Sequence, residues 1–295
     1  MPMNAPRALK LALVFVAVVF VLPMSLRAAL ILSGYNTPTA HSSEIEQADM
    51  SSSSLLPDPA RHSAARVVIM SAPMSGRRGQ FLTHNWVVFK RENATSWSRY
   101  EVLGFASRDA DGMRNGAWLG NTPTLNRYSA DGFWFGRRPV IIADAEGAAA
   151  TAIVDRIEVV ISGYEESYGH YRFWPGPNSN TFVQAILRAA PELRAALPPT
   201  AIGKDFRPGV YFGLTDSRTG IEAGILGVLG FKIGWVEGLE LNLFGFIAGL
   251  DVRQPALKLP GFGRIELLSG SNATRQITHL MPNSAHIAIA SPSSE

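Results

Sequence analysis

The amino-acid sequence predicts an α+β domain that is preceded by one N-terminal transmembrane helix. Three observations carry this prediction: an apolar segment near the start, short β-branched runs typical of strands, and stretches with helical periodicity. The chain has 295 residues, of which 46% are hydrophobic, so it is long enough to bury a sizeable core.

The apolar segment runs from Leu11 to Gly34 and follows two basic residues, Arg7 and Lys10. At about 1.5 Å per residue it can cross a hydrocarbon core of about 30 Å. Because the first charges after Arg27 are acidic, the positive-inside rule places the N-terminus in the cytoplasm. We expect residues 1–35 to be a single-pass inner-membrane anchor, with the bulk of the chain periplasmic. The alternative is a cleaved signal peptide, which leads to the same compartment.

Residues 36–64 are rich in Ser, Pro and Ala, a composition that predicts a flexible linker. We expect the folded α+β domain to cover residues 65–268. Its first strand is predicted at ARVVIM, which begins at Ala65, and a hairpin is predicted where THNWVVFKR is followed by RYEVLGF across the turn 92–96.

Two helices are predicted in the middle of the chain. Apolar residues recur at intervals of three and four between Glu146 and Ser162, with charged residues on the other face. A second helix is predicted to begin at residues 178–180 and to end before Pro191, because proline cannot continue a helix.

After Pro208 the chain consists of short apolar runs broken by glycine. None reaches the roughly 20 residues of a membrane-spanning helix, so the pattern favours strands. An alternative is that the region from Gly220 to Val252 packs on the bilayer and that the protein is a lipid-contacting or assembly factor. Residues 269–295 are predicted to be a polar tail.

Composition also bears on function. The chain has no cysteine, so thiolate metal sites and cysteine nucleophiles are excluded. The formal net charge is +3, but the basic residues are scattered, which argues against nucleic-acid binding. No cluster has metal-ligand spacing and no glycine run has the context of a phosphate loop, so we expect neither a metal nor another cofactor.

The segment WPGPNSNTF, which starts at Trp174, is a Pro/Gly turn that delivers Ser179 to the first turn of a helix. Free backbone N–H groups at that position suit a developing oxyanion. A serine needs a base, and His84 is the histidine that falls on a predicted strand of the folded part. The alternative is purely structural, because Asn178 and Ser179 are residue types that cap helices.

Motifs spread from about Leu55 to Arg264 carry a family resemblance: LLPDPA, H-x-W, RYEV, WFG, WPGPNSNTF, LPPTAIGKD, EGLELNLFG and PALKLPGFGR. Through them the chain resembles the bacterial family called domain of unknown function 3750. This resemblance implies membership of that family, and it implies no activity, because the function of the family is not established.

A more distant resemblance implies a fold and a mechanism. The order of His84-x-x-Val-Val, Tyr-Glu101-x-x-Gly and Asn178-Ser179-Asn180-x-Phe is similar to permuted papain-like peptidases of the PPPDE group. It implies a permuted papain-like fold in which His84 is the base and Ser179 occupies the nucleophile position, where those enzymes have cysteine. Asn178 and Asn180 would shape the turn.

The predicted function is therefore a Ser/His hydrolase or acyltransferase that acts on a peptide, lipid or cell-wall component, with Glu101 and Trp174 as supporting residues. A serine alkoxide is harder to form than a thiolate, so loss of activity is the competing expectation. The alternative is a non-catalytic papain-like protein that binds an envelope ligand or protein partner.

Overall fold

The structure is a computed structural model that describes residues 5–34, 48–105 and 118–268. Within these ranges an apolar N-terminal helix is followed by two antiparallel sheets and two further helices. This mixture of helices and antiparallel strands confirms the predicted α+β class. The predicted polar tail, 269–295, lies outside the described residues.

The N-terminal helix consists of α1 (Ala5–Val16), a π-helical turn (Ala17–Val21) and α2 (Leu22–Leu32). The helix has 27 residues from Pro6 to Leu32, and a stretch of 18 residues within it has a mean hydropathy of 2.5 and is mostly exposed. At 1.5 Å per residue such a helix is about 40 Å long, which is enough to cross a bilayer. A signal sequence meets the same criterion.

The first sheet has five antiparallel strands in the order β4-β3-β2-β1-β5. The strands are β1 (Arg66–Pro73), β2 (Thr83–Lys90), β3 (Ser98–Phe105), β4 (Trp118–Leu125) and β5 (Val140–Glu146). The predicted first strand and the predicted β2–β3 hairpin are both confirmed.

Helices α3 (Ala148–Tyr168) and α4 (Ser179–Ala189) pack on one face of this sheet. Their apolar stripes form the main core with the side chains of Val67, Val87 and other residues of that face. Both predicted helices are confirmed, although α3 continues six residues beyond Ser162. It ends at Gly169, whose positive φ of 68° suits glycine. Short 3₁₀ turns occupy Pro59–Arg61, Gly76–Gln80 and Pro191–Leu193.

The other face of the five-stranded sheet is covered by residues from the predicted linker. The backbone N–H of Leu55 donates to the Asp131 carboxylate at 2.6 Å, and Ser52 forms a β-bridge with Gly132. Leu55 and Leu56 pack on a second apolar cluster there. Ordered structure therefore begins upstream of Ala65, because apolar residues within the polar linker find a partner surface.

The second sheet is a seven-stranded meander in which each strand pairs with the next. Its strands are β6 (Val210–Leu214), β7 (Gly220–Ile225), β8 (Leu229–Gly234), β9 (Gly238–Leu243), β10 (Phe246–Asp251), β11 (Ala256–Leu259) and β12 (Gly263–Glu266). The prediction of glycine-broken strands after Pro208 is confirmed.

The two faces of this meander differ sharply in chemistry. Cross-strand rows of aliphatic and aromatic side chains form one face, which we call the apolar face: Val210, Phe212, Leu214, Ile221, Ala223, Ile225, Leu229, Phe231, Ile233, Leu239, Leu241, Leu243, Phe246, Ala248, Leu250, Leu257 and Ile265. On the other face, a cross-strand row of charged side chains includes Glu222, Lys232, Glu240, Lys258 and Arg264.

The charged row is buried by the segment between α4 and β6. Lys204 donates to Glu240 at 2.6 Å, and Asp205 pairs with Lys232 at 2.8 Å. Glu222 also pairs with Lys232, at 3.1 Å. Acidic and basic side chains alternate from Glu222 through Lys232 to Glu240, whereas Lys258 and Arg264 are both basic and pair with Glu240 and Glu266. Each of these charges therefore has a partner, which burial requires.

Candidate functional site

His84 and Glu101 meet on the first sheet. His84 Nε2 lies 2.7 Å from Oε2 of Glu101, which comes from the neighbouring strand β3. Arg99 Nη2 donates to the same oxygen at 2.8 Å. His84 is 5% exposed, and neither Arg99 nor Glu101 has measurable exposure. The structure thus assigns Glu101 as the carboxylate that orients His84.

Aromatic rings enclose this buried cluster. The His84 ring stacks on Trp134 at a centroid distance of 4.2 Å, and the Arg99 guanidinium lies 4.1 Å from the centre of the Trp86 ring. Arg99 also donates to the carbonyl of Ser129 at 2.8 Å. Stacking and hydrogen bonds together hold the His84 ring and the Arg99 guanidinium in fixed orientations.

The protonation states follow from these surroundings. Burial lowers the pKa of His84, and the hydrogen bond to Glu101 only partly opposes this effect. Burial by itself would raise the pKa of Glu101, but the Arg99 charge and the contact with His84 outweigh it and lower the pKa. An ionised carboxylate can only accept hydrogen bonds, so a neutral His84 donates its Nε2 proton to Glu101. Its Nδ1 is then the basic nitrogen.

The N-terminus of α4 is built around Asn178. Its side-chain oxygen accepts from the backbone N–H groups of Asn180 and Thr181, and the Thr181 side chain completes a capping box. The Asn178 amide donates to the carbonyls of Phe173 and Ile202 at 2.8 and 3.0 Å. Asn178 is therefore a structural cap, as expected for this residue type at this position.

Asn180 and Ser179 differ in their contacts. The Asn180 side-chain oxygen accepts from Asn85 Nδ2 at 2.7 Å, and its amide donates to the carbonyl of Thr83. Asn180 thereby joins helix α4 to strand β2. Ser179 is half-buried, and its hydroxyl makes no hydrogen bond to the described part of the chain.

The alternation of β2 separates the two residues expected to form a catalytic pair. His84 stacks with Trp86 on one face of the sheet, whereas Asn85 points to the other face and contacts helix α4. No hydrogen bond joins His84 to Ser179 across the ranges that the structure covers. The sheet therefore brings His84 to Glu101, and it brings Asn85 rather than His84 to the helix that carries Ser179.

Trp174 links the Pro/Gly turn to the second sheet. Its indole N–H donates to the carbonyl of Phe244, in the β9–β10 turn, at 2.9 Å. The ring is otherwise exposed, and it has no contact with His84. Trp174 is thus a bridge between the two sheets at the base of the turn.

A cleft of about 430 Å³ was not anticipated from the sequence. It lies where the β1–β5 edge of the first sheet faces the second sheet across the segment Ala195–Pro199. Its charged lining consists of Arg138, Asp251, Arg253, Lys258 and Arg264. These residues come from distant segments, so no local motif signals the cleft.

The cations of the cleft are not equivalent. Lys258 and Arg264 have carboxylate partners, at 2.6 Å from Glu240 and 2.8 Å from Glu266 respectively. Arg138 and Arg253 form no salt bridge within the described part of the chain, and Arg253 Nη1 donates only to a backbone carbonyl. In the same ranges, no group of three or more His, Asp or Glu residues is arranged to hold a metal ion.

Comparison with known families agrees with the motifs. A family model described as "Protein of unknown function (DUF3750)" matches residues 64–206. This match supports the assignment of the chain to the DUF3750 family. The matched DUF3750 region contains the first sheet, α3, α4 and the His84–Glu101 pair, and it stops before the meander. No curated protein and no solved structure matches the chain. The permuted papain-like fold stays a prediction.

Proposed function

We propose that this protein is a membrane-anchored binding protein of the cell envelope, and that it does not use Ser179 and His84 as a catalytic pair. The observation that carries the proposal is their separation: His84 is held by Glu101 and Trp134 on the sheet face opposite the helix that begins at Ser179. A nucleophilic serine needs its base within hydrogen-bond reach.

The cleft between the sheets is the proposed binding site. Its volume of about 430 Å³ is within the usual range of ligand pockets. Among the residues that the structure describes, Arg138 and Arg253 have no carboxylate partner, so both are free to bind an anionic group. Guanidinium groups recognise carboxylates and phosphates through paired hydrogen bonds. The proposed ligand is an envelope component that carries a carboxylate or a phosphate.

Ligand binding can be tested with the full chain in detergent. Inorganic phosphate and a muropeptide carboxylate are the probes, and the midpoint of thermal unfolding is the readout, because a ligand that binds only the native state stabilises it. Arg253→Gln and Arg138→Gln should each weaken the response at least tenfold. Arg91→Gln, which removes a surface arginine that pairs with Asp155 and Glu158 of α3 outside the cleft, is the matched control. A response that is equal in all variants contradicts the cleft as the site.

The proposed orientation places the folded part in the periplasm. It is supported by Arg7 and Lys10, which precede the apolar helix. Because the chain has no cysteine, Val159→Cys on the exposed side of α3 creates a single labelling site. An impermeant maleimide should label it in spheroplasts. Labelling only after lysis would reverse the orientation.

A hydrolase or acyltransferase is the second candidate function. The His84–Glu101 hydrogen bond favours it, since a histidine base oriented by a carboxylate supplies two of the three residues of a catalytic triad. Ser179, at the N-terminus of α4, would be the nucleophile, and β2 would have to rearrange to present His84 on the face of the sheet that carries α4. Labelling by a fluorophosphonate that disappears in both Ser179→Ala and His84→Ala would establish this candidate. Labelling that persists in Ser179→Ala would exclude Ser179.

A further inference from the structure

We propose that the apolar face of the seven-stranded meander rests on the outer leaflet of the membrane that holds the N-terminal helix. Its side chains would lie among the outer ends of the lipid acyl chains. This surface is distinct from the cationic cleft, so its test does not depend on any ligand of the cleft. The inference goes beyond anchoring, because it gives the folded part a lipid contact of its own.

The meander has the reverse of the polarity expected in water. In a sheet with one packed face, apolar side chains normally turn inward and charged side chains outward. Here Glu222 is 4% exposed and Lys232 8%, whereas Phe212 is 72% exposed and Ile233 54%. Each strand alternates as usual, but the charged positions point to the body and the apolar positions point away. Strands that contact lipid show this arrangement of apolar residues outside and polar residues inside.

The N-terminal helix identifies lipid as the occupant of this face. The π-helical turn Ala17–Val21, which is part of the hydrophobic helix itself, contacts β10. Further along, Arg27 donates to the carbonyl of Gln80 at 3.1 Å, and a Cβ atom on Gly261 would lie only 3.0 Å from Sδ of Met24. Helix and meander are therefore in direct contact. The apolar face of the meander then continues the apolar surface of the helix, and lipid that surrounds the helix also reaches this face.

The face is broad enough to contact many lipids. Six strand spacings of about 4.8 Å make the meander roughly 29 Å wide. Exposed Trp235 and Trp174 lie next to turns at opposite ends of the strands, and tryptophan is favoured where headgroups meet acyl chains. Edge strands β6 and β12 have unpaired backbone groups that need water or headgroups, so we expect the edges of the sheet to stay at the level of the headgroups.

The test measures the depth of single probes in the full chain. Because the natural sequence has no cysteine, Phe212→Cys and Ile233→Cys each provide one attachment site on the apolar face. Val159→Cys on α3 is the matched control, because Val159 is also an exposed aliphatic residue, at 72%. Each variant is labelled with a nitrobenzoxadiazole maleimide and reconstituted into vesicles of phosphatidylethanolamine and phosphatidylglycerol, with and without doxyl-labelled lipid.

Probes at positions 212 and 233 should emit at shorter wavelength than the probe at 159, and doxyl lipid should quench them several-fold more strongly. Adding Phe212→Asp to the Ile233→Cys variant should reduce that quenching. Equal, water-like emission at all three positions would overturn the proposal. Oxidation of the unlabelled Phe212→Cys variant to a disulfide dimer, together with absence of quenching, would also overturn it, because a second copy would then cover the face.

Discussion

Replacement of Glu101 by glutamine tests the central ion cluster of the first sheet. The carboxylate accepts from Arg99 at 2.8 Å and from His84 at 2.7 Å, and it is fully buried. Glutamine preserves the volume of the side chain but removes its negative charge. Arg99 then keeps a buried positive charge whose remaining partners include the Ser129 carbonyl and the Trp86 ring but no carboxylate among the described residues.

The magnitude follows from the burial of the pair. Removal of one partner of a fully buried ion pair typically costs about 3–5 kcal/mol, because the other charge stays desolvated without compensation. With a urea dependence of about 3 kcal/mol per M, at the upper end for small proteins, the unfolding midpoint should fall by about 1–2 M. Replacing both residues, as Arg99→Met with Glu101→Leu, should recover much of this loss, since no unpaired charge remains.

The assay is urea unfolding of the full chain in detergent, followed by the fluorescence of tryptophans that include Trp86 and Trp134. Asp155→Asn is the matched control: Asp155 pairs with Arg91 on the surface, and its side chain is 72% exposed. The control should change stability by less than about 0.5 kcal/mol. If Glu101→Gln is no more destabilising than this control, the buried charge pair does not exist as described.

Two further predictions concern pH and the start of α4. The pKa values of His84 and Glu101 are both lowered in the folded state, so the unfolded chain binds more protons on acidification. The free energy of unfolding should fall as the pH drops below about 6.5, the ordinary pKa of histidine, and should fall further near about 4.3, the ordinary pKa of glutamate. A urea midpoint that does not change between pH 8 and pH 5 contradicts this prediction. His84→Gln should remove the first part of the decline. Asn178→Ala should lower the free energy of unfolding by about 2–4 kcal/mol in the same assay, because the helix cap and two further hydrogen bonds are lost. Ser179→Ala should change it by less than about 0.5 kcal/mol. Equal effects of these two variants would refute the structural assignment of Asn178.

Local pattern was sufficient for several elements of this protein. The hairpin of β2 and β3, the helix that ends before Pro191 and the cap at Asn178 all follow from periodicity and from residue types at element ends. The apolar helix from Pro6 to Leu32 follows from composition and length. These features depend on interactions within a few residues, which the sequence displays directly.

The candidate site was only partly accessible in this way. Alternation along β2 shows that His84 and Asn85 face opposite sides, but it does not say which side the helix covers. The pairing of β2 with β3 brings Glu101 beside His84. The packing of α4 on the opposite face of the sheet brings Asn180 beside Asn85. Both depend on register and on packing between distant segments.

The sequence by itself determined the apolar N-terminal helix, both later helices, several strands and the alternating apolar positions of the strands after Pro208. Only the tertiary structure decided the direction of that alternation. The segment that carries Lys204 and Asp205 covers the charged row and neutralises it, which leaves Phe212 and Ile233 exposed. The physical reason is that side chains alternate along a strand, so the sequence shows which residues share a face of the sheet. Which of the two faces is buried depends on the segments that pack against the sheet.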